Sequence, residues 1–140
     1  MSQAVLFLHL VGLMLGAAGG FSSALIMRRA AGAPPDAART LRGLGPMLAN
    51  TSAAGLALMW VTGLVMVWSR WGGPGNLPGL FWVKAIFILT LTAAAIGTHL
   101  TYAEIGRGNT AAAARLPKLG PVAGLSALLA VLFAVYAFSN

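Results

Sequence analysis

The first long apolar stretch of the chain, AVLFLHLVGLMLGAAGGFSSALIM at residues 4–27, decides the fold class. It contains no formally charged residue when His9 is neutral. Because about 20 residues of apolar helix cross the hydrocarbon core of a bilayer, this stretch predicts a transmembrane helix. Three more stretches of this kind follow, at approximately residues 47–68, 80–102 and 119–138. We therefore expect a multi-pass helical membrane protein.

The composition of the whole chain agrees with this prediction. Of its 140 residues, 59% are hydrophobic and 8% are charged, and the mean hydropathy is +0.85, whereas soluble domains carry roughly 25% charged residues. The loops between the apolar stretches are short, and short loops join antiparallel neighbours. The predicted fold is thus all-α, an integral membrane up-down four-helix bundle that forms a single transmembrane domain over residues 1–140.

The net charge of +7 comes from basic residues in loops rather than in a stripe or tail, so we expect no nucleic-acid partner. The second loop carries only Arg70. The first and third loops carry the other loop cations, namely Arg28, Arg29, Arg39, Arg42, Arg107, Arg115 and Lys118. By the positive-inside rule these two loops are cytoplasmic, and both termini face the outer, periplasmic side of a bacterial inner membrane. In the first loop, residues 35–42 (PDAARTLR) predict a short interfacial helix.

Several kinds of chemistry are excluded by composition. The chain has no cysteine, which rules out disulfides, iron–sulfur clusters and thiolate catalysis. Its two acidic residues, Asp36 and Glu104, lie in or near the predicted cytoplasmic loops, so paired carboxylates inside the membrane are excluded as well. The six methionines form no cluster, and filling of the core is favoured over copper binding.

Two cation-capable residues, His9 and Lys84, lie at matching depths in the sequence pattern. Each is about one turn inside a helix that runs inward from the outer face, so the two side chains can meet. Taken singly, His9 reads as an interfacial histidine bonded to a carbonyl or water, and Lys84 as a lysine that snorkels to the headgroups. Taken together they predict a site, because ionisable residues within the membrane are costly and usually functional.

A ladder of small residues at four-residue spacing accompanies His9 in the first helix: Gly12, Gly16, Gly20 and Ala24. Such a face lets another helix approach closely. Helical periodicity places His9 on the same face. We expect Gly12 and Gly16 to leave room beside His9 either for a flat macrocycle or for a partner helix.

A second polar cluster, formed by His99, Tyr102 and Glu104, is predicted at the inner end of the third helix. His99 lies roughly 22 Å deeper than Lys84 by the helical rise. His9 and His99 therefore cannot be the two axial ligands of one haem within a single chain. For this cluster, an interfacial anchor is the favoured interpretation.

The sequence resembles the HemJ-type membrane protoporphyrinogen oxidases and the related CopD-like four-helix proteins. The resemblance rests on three features: the histidine in FLHLVGLMLGAAGG (7–20), the form of LRGLGPMLANTSAAGLALMWVTGL (41–64), and the Trp-x-Lys of Trp82-Val83-Lys84. It implies that His9 ligates the iron of haem b. It also implies that Lys84 is an essential, catalytic residue in porphyrinogen oxidation, with quinone as electron acceptor.

Three functions thus stand open. The first is a haem-binding redox protein of the HemJ type, in which Lys84 is the opposite iron ligand or the cation that pairs with a propionate or substrate carboxylate. The second is a non-catalytic accessory subunit of a larger respiratory or photosynthetic membrane complex, with the glycine ladder facing a partner helix. The third is copper or small-solute transport. Membrane lipid is an expected partner in each case, and a homodimer is open as well.

Overall fold

The structure is a computed structural model that describes residues 3–138, and it is helical almost throughout. Its α-helices are α1 (Gln3–Ala31), α2 (Pro35–Gly43), α3 (Gly45–Trp71), α4 (Gly79–Gly106) and α5 (Leu116–Phe138). Two 3₁₀ segments, Pro74–Asn76 and Thr110–Arg115, lie in the second and third loops. Within the described residues four helical spans are long and apolar enough to cross a membrane. The mean hydropathy of an 18-residue stretch in each span is between 1.6 and 2.1. The prediction of an all-helical fold with four helices of membrane-spanning length and hydropathy is confirmed.

The four long helices form a ring in which each touches its neighbours. The packing is most extensive between α1 and α3 and between α4 and α5, and thinner contacts of α3 with α4 and of α1 with α5 close the ring. Consecutive long helices run in opposite directions. The molecule therefore consists of two antiparallel pairs, with α1 and α4 on opposite corners.

This up-down order gathers the loop cations at one end, as the charge pattern predicts. We call it the arginine-rich end; it holds Arg28, Arg29, Arg39, Arg42, Arg107, Arg115 and Lys118. At the other end, here called the tryptophan end, lie Trp68, Trp71 and Trp82 with Arg70. The helix α2 lies at the arginine-rich end and packs its buried Ala38 on the bundle, which confirms the predicted helix in the first loop.

Small side chains fill the centre of the bundle, and large apolar ones point outward. The buried apolar residues of the described part are all alanines, and the largest fully buried side chain is Thr101. Side chains such as Phe7, Met14 and Leu25 are about two-thirds exposed. This inversion of the soluble pattern suits helices that associate by close packing in lipid rather than by the hydrophobic effect.

The helices extend a few residues beyond the predicted spans at most ends, because the first and last turns continue into the interface. The end of α3 has a clear cause. Gly72 adopts a left-handed conformation (φ 68°), and its amide bonds to the Trp68 carbonyl at 3.2 Å while that of Gly73 bonds to Val67 at 3.2 Å. This satisfies the last carbonyls of the helix and turns the chain toward α4.

Candidate functional site

Glycines bring α1 and α3 into backbone contact over several turns. A Cβ at Gly12 would lie 2.9 Å from the Gly55 carbonyl oxygen, and one at Gly19 would lie 2.7 Å from that of Leu48. A Cβ at Gly55 would overlap the backbone of Gly12 and Gly16. The contact also has a hydrogen bond, because the Ser52 hydroxyl donates to the Gly16 carbonyl at 3.1 Å.

The predicted glycine ladder therefore needs two corrections. Gly20 has no atom within 4 Å of an added Cβ, and Gly19 takes its place on the packed face because a helical stripe alternates steps of three and four residues. The space beside Gly12 and Gly16 is also taken by the backbone of α3. A macrocycle bound to His9 would thus have to lie away from these two glycines.

His9 lies on the same packed face of α1, one turn closer to the tryptophan end. Its ring rests against Gly63, where an added Cβ would meet the ring carbon Cε1 at 3.5 Å. The Nδ1 atom of the ring and the hydroxyl of the buried Thr62 are 2.8 Å apart. The half-buried imidazole is thereby fixed in position between two helices.

The hydrogen bonds around Thr62 decide which ring nitrogen carries the proton. The Thr62 hydroxyl is 2.6 Å from the Leu58 carbonyl oxygen, which can only accept, so the hydroxyl donates to Leu58. Its oxygen must then accept from His9, and the proton of the neutral imidazole lies on Nδ1. The lone pair is consequently on Nε2, the nitrogen that can ligate a metal or accept a proton.

Lys84 lies near the tryptophan end of α4. It is half-buried, and its ammonium Nζ lies 5.6 Å from the centroid of the Phe81 ring. The aromatic face offsets part of the cost of holding a cation among apolar groups. Both predicted site residues thus lie toward the tryptophan end of the bundle.

A contact between the diagonal helices α1 and α4 gives the relative depth of these residues. At the arginine-rich end, the side chains of Tyr102 and Ser23 lie close together. Counting back along the two parallel helices from that contact places His9 level with Ile88. Lys84 therefore starts about 6 Å nearer the tryptophan end, roughly one turn.

The predicted inner cluster separates into different contacts. Tyr102 packs its hydroxyl over Gly45 of α3, and its side chain lies close to Ser23 of α1. Glu104 lies one turn away and pairs with Arg115, whose Nη1 is 3.1 Å from both carboxylate oxygens, and it accepts from Asn109 at 3.3 Å. His99 takes part in neither contact. The structure thus favours anchoring and packing roles for Tyr102 and Glu104.

Thr62 and Gly63 are the parts of the site that sequence reasoning missed. A threonine in an apolar helix usually bonds back to its own helix, and Thr62 does so, which hides its second role as the acceptor for His9. They lie far from His9 in the sequence, so no local pattern connects them with it. Aligning the glycines of α1 with those of α3 in antiparallel register would have placed them near His9.

No protein-family model, curated protein or solved structure matches this chain. Within residues 3–138 there is also no group of three or more His, Cys, Asp or Glu side chains that could hold a metal ion.

Proposed function

We propose that this chain is a haem-binding redox protein of the membrane, with His9 as the iron ligand. The observation that carries the proposal is the hydrogen-bonded series from His9 through Thr62 to the Leu58 carbonyl. Histidines that ligate metals nearly always donate their other ring proton to a neighbouring acceptor, which fixes the tautomer and raises the basicity of the ligating nitrogen. Thr62 does this for Nδ1, and Nε2 remains the ligating atom.

The surroundings of His9 suit haem b. A porphyrin supplies four of the iron ligands itself, so a single imidazole suffices for a five-coordinate iron. Lys84 lies on the other helix pair toward the same end of the bundle, and its positive charge would be available to a carboxylate of the bound ring. When bound, the group would supply one-electron chemistry.

The residues of the chain would hold and orient the reactants. His9 would hold the iron, Thr62 would orient His9, and Lys84 would pair with a propionate or with a carboxylate of a porphyrin substrate. On this proposal, which follows the resemblance to HemJ-type enzymes, the substrate is protoporphyrinogen IX and quinone accepts the electrons. The site would then face the outer leaflet of a bacterial inner membrane, with both termini on the periplasmic side.

The test is a reduced-minus-oxidised absorption spectrum of the protein purified in mild detergent after expression with ample haem. We expect a b-type spectrum that His9→Ala abolishes. His99→Ala is the matched control and should leave the spectrum unchanged, since His99 lies at the other end of α4. A colourless wild-type protein, or equal loss in both variants, would contradict the proposal.

The role of Lys84 needs a separate measurement. If Lys84 pairs with a carboxylate, Lys84→Ala should retain the haem spectrum while porphyrinogen oxidation falls, and Lys84→Arg should restore part of that activity because the positive charge is retained. Loss of the low-spin, six-coordinate features in Lys84→Ala and in Lys84→Arg would instead make Lys84 the opposite iron ligand.

An accessory subunit is the second candidate, and one observation favours it. On α5 an added Cβ at Gly120 or Gly124 would meet nothing within 4 Å, so this four-residue glycine step leaves an open strip for a neighbouring helix. Of the glycines of α1, Gly12, Gly16 and Gly19 no longer serve this role because α3 lies against them. Recovery of a stoichiometric large partner in mild detergent would favour this function, and a haem spectrum in the isolated chain would favour the first.

A further inference from the structure

The arginine-rich end carries a cleft between α4 and α5 that is separate from the His9 site. Its volume is about 460 Å³. Apolar groups of Gly97, Leu100 and Leu119 line one part, and Glu104, Arg115 and Lys118 line another. No residue of the proposed haem site contributes to it.

The lining changes character along the membrane normal. Gly97 and Leu100 lie one to two turns deeper in α4 than Glu104, a span of about 10 Å from Gly97 to Glu104. The cleft is therefore apolar toward the centre of the bilayer and charged at the level of the headgroups. A soluble anion would make no favourable contact with the apolar part, whereas an acyl chain would pack against it.

The charged part favours an anion. Arg115 uses Nη1 for both contacts to Glu104, and within residues 3–138 its Nε and Nη2 atoms make no hydrogen bond. Lys118 engages in no hydrogen bond or ion pair in that range. Glu104 offsets one of the two positive charges and holds the Arg115 side chain over the cleft, so a net positive charge remains beside donors that are already oriented.

We propose that this cleft binds one anionic phospholipid, with its phosphate on Arg115 and Lys118 and an acyl chain along Leu100 and Leu119. Basic clefts between transmembrane helices at the cytoplasmic side recognise anionic headgroups in this way. The guanidinium supplies directed donors to the phosphate, and the ammonium acts as a point charge.

The test is lipid binding by the full chain in detergent, followed by native mass spectrometry. Phosphatidylglycerol and phosphatidylcholine with identical acyl chains are titrated in parallel, because they differ in headgroup charge alone. We expect one tight phosphatidylglycerol site per chain. Lys118→Gln should weaken it about five-fold, since a basic residue near the headgroups contributes about 1 kcal/mol.

Two variants distinguish the cleft from a general effect of charge. Arg107→Gln removes one exposed cation from the same end of the bundle without altering the cleft, and it should change the affinity by less than about two-fold. Glu104→Gln combined with Arg115→Gln removes both members of the ion pair and should weaken binding as Lys118→Gln does. All four substituted residues are partly or fully exposed, so these variants keep the helical fold.

Three outcomes would overturn the proposal. Equal affinity for the two lipids would show that the phosphate charge is not recognised. Equal weakening by Arg107→Gln and Lys118→Gln would show a diffuse electrostatic attraction instead of a site. Displacement of phosphatidylglycerol by inorganic phosphate at the same concentration would assign the cleft to the free ion rather than to the lipid.

Discussion

The two antiparallel helix pairs of this protein are held together by different means. In the first pair, the backbones of α1 and α3 touch at Gly12, Gly19 and Gly55. In the second pair, side chains make the contact: Phe87 of α4 stacks on Phe133 of α5, with ring centroids 5.6 Å apart and planes 9° apart. A backbone contact tolerates no added atom, whereas a side-chain contact can rearrange.

The difference matters for the site because His9 belongs to the first pair and Lys84 to the second. The close approach of α1 to α3 is what puts the His9 ring within hydrogen-bond distance of Thr62. Lys84 comes from a helix that has only side-chain contacts with α1. We therefore expect the His9 side chain to be held rigidly and the Lys84 side chain to be able to move when a molecule binds.

The largest expected effect is that of Gly55→Ala in the glycine contact. The new Cβ would overlap the backbone of Gly12 and Gly16, so α1 and α3 must separate, and the free energy of unfolding should fall by about 2 kcal/mol. Unfolding of the purified protein in mixed micelles with increasing SDS measures it. Gly20→Ala is the matched control on α1 and should be neutral, since nothing lies within 4 Å of its Cβ. Equal loss in both would mean that α1 and α3 do not pack as described.

The next effect is that of Thr62→Val, which keeps the shape of the side chain and removes the hydroxyl. The Nδ1 proton of His9 then loses its bond to Thr62, and the free energy of unfolding should fall by about 1.5 kcal/mol. Thr62→Ser should retain most of the stability because its hydroxyl can bond both partners. The same unfolding assay compares the three proteins, and a Thr62→Ser variant as unstable as Thr62→Val would argue against the hydrogen bond.

In the second pair, the stacked rings should contribute about 1 kcal/mol of coupling energy. A double-mutant cycle with Phe87→Leu and Phe133→Leu isolates that term from the general loss of packing. The cycle sharpens the comparison of the two pairs, because a coupling energy near zero would mean that α4 and α5 pack without any specific aromatic contact.

The smallest expected effect concerns the link between the pairs. The indole Nε1 of Trp60 on α3 donates to the hydroxyl of Thr92 on α4 at 3.1 Å. Trp60→Phe removes the donor, and hydrogen bonds between membrane helices average about 0.6 kcal/mol. In a double-mutant cycle with Thr92→Val, a coupling energy of that size is expected. A much larger value would mean that the two pairs depend on each other more than their thin contact suggests.

Much of the fold was predictable because hydropathy and length act locally. The four spans follow from the apolar stretches, the gathering of cations at one end from the first and third loops, and the first-loop helix from residues 35–42. The candidate pair of His9 and Lys84 was found by depth, since position along parallel helices translates directly into distance from the membrane surface.

The details of the site were not predictable for an equally physical reason. The glycine ladder was read at a strict four-residue period, which selected Gly20, whereas the contact uses Gly19. The acceptor for His9 depends on the antiparallel register of α1 on α3, which is set where the backbones of Gly12 and Gly55 fit together. The residues next to Thr62 in the sequence do not indicate how α3 is aligned with α1.

By itself, then, the amino-acid sequence determined that this chain is an all-helical protein with four apolar spans and one arginine-rich end, because each of these properties is a sum over neighbouring residues. The tertiary structure decided which helices pair closely, which hydroxyl bonds the His9 ring, and that Glu104, Arg115 and Lys118 border one cleft. Those features depend on contacts between residues far apart in the chain, and such contacts exist only once the helices are packed.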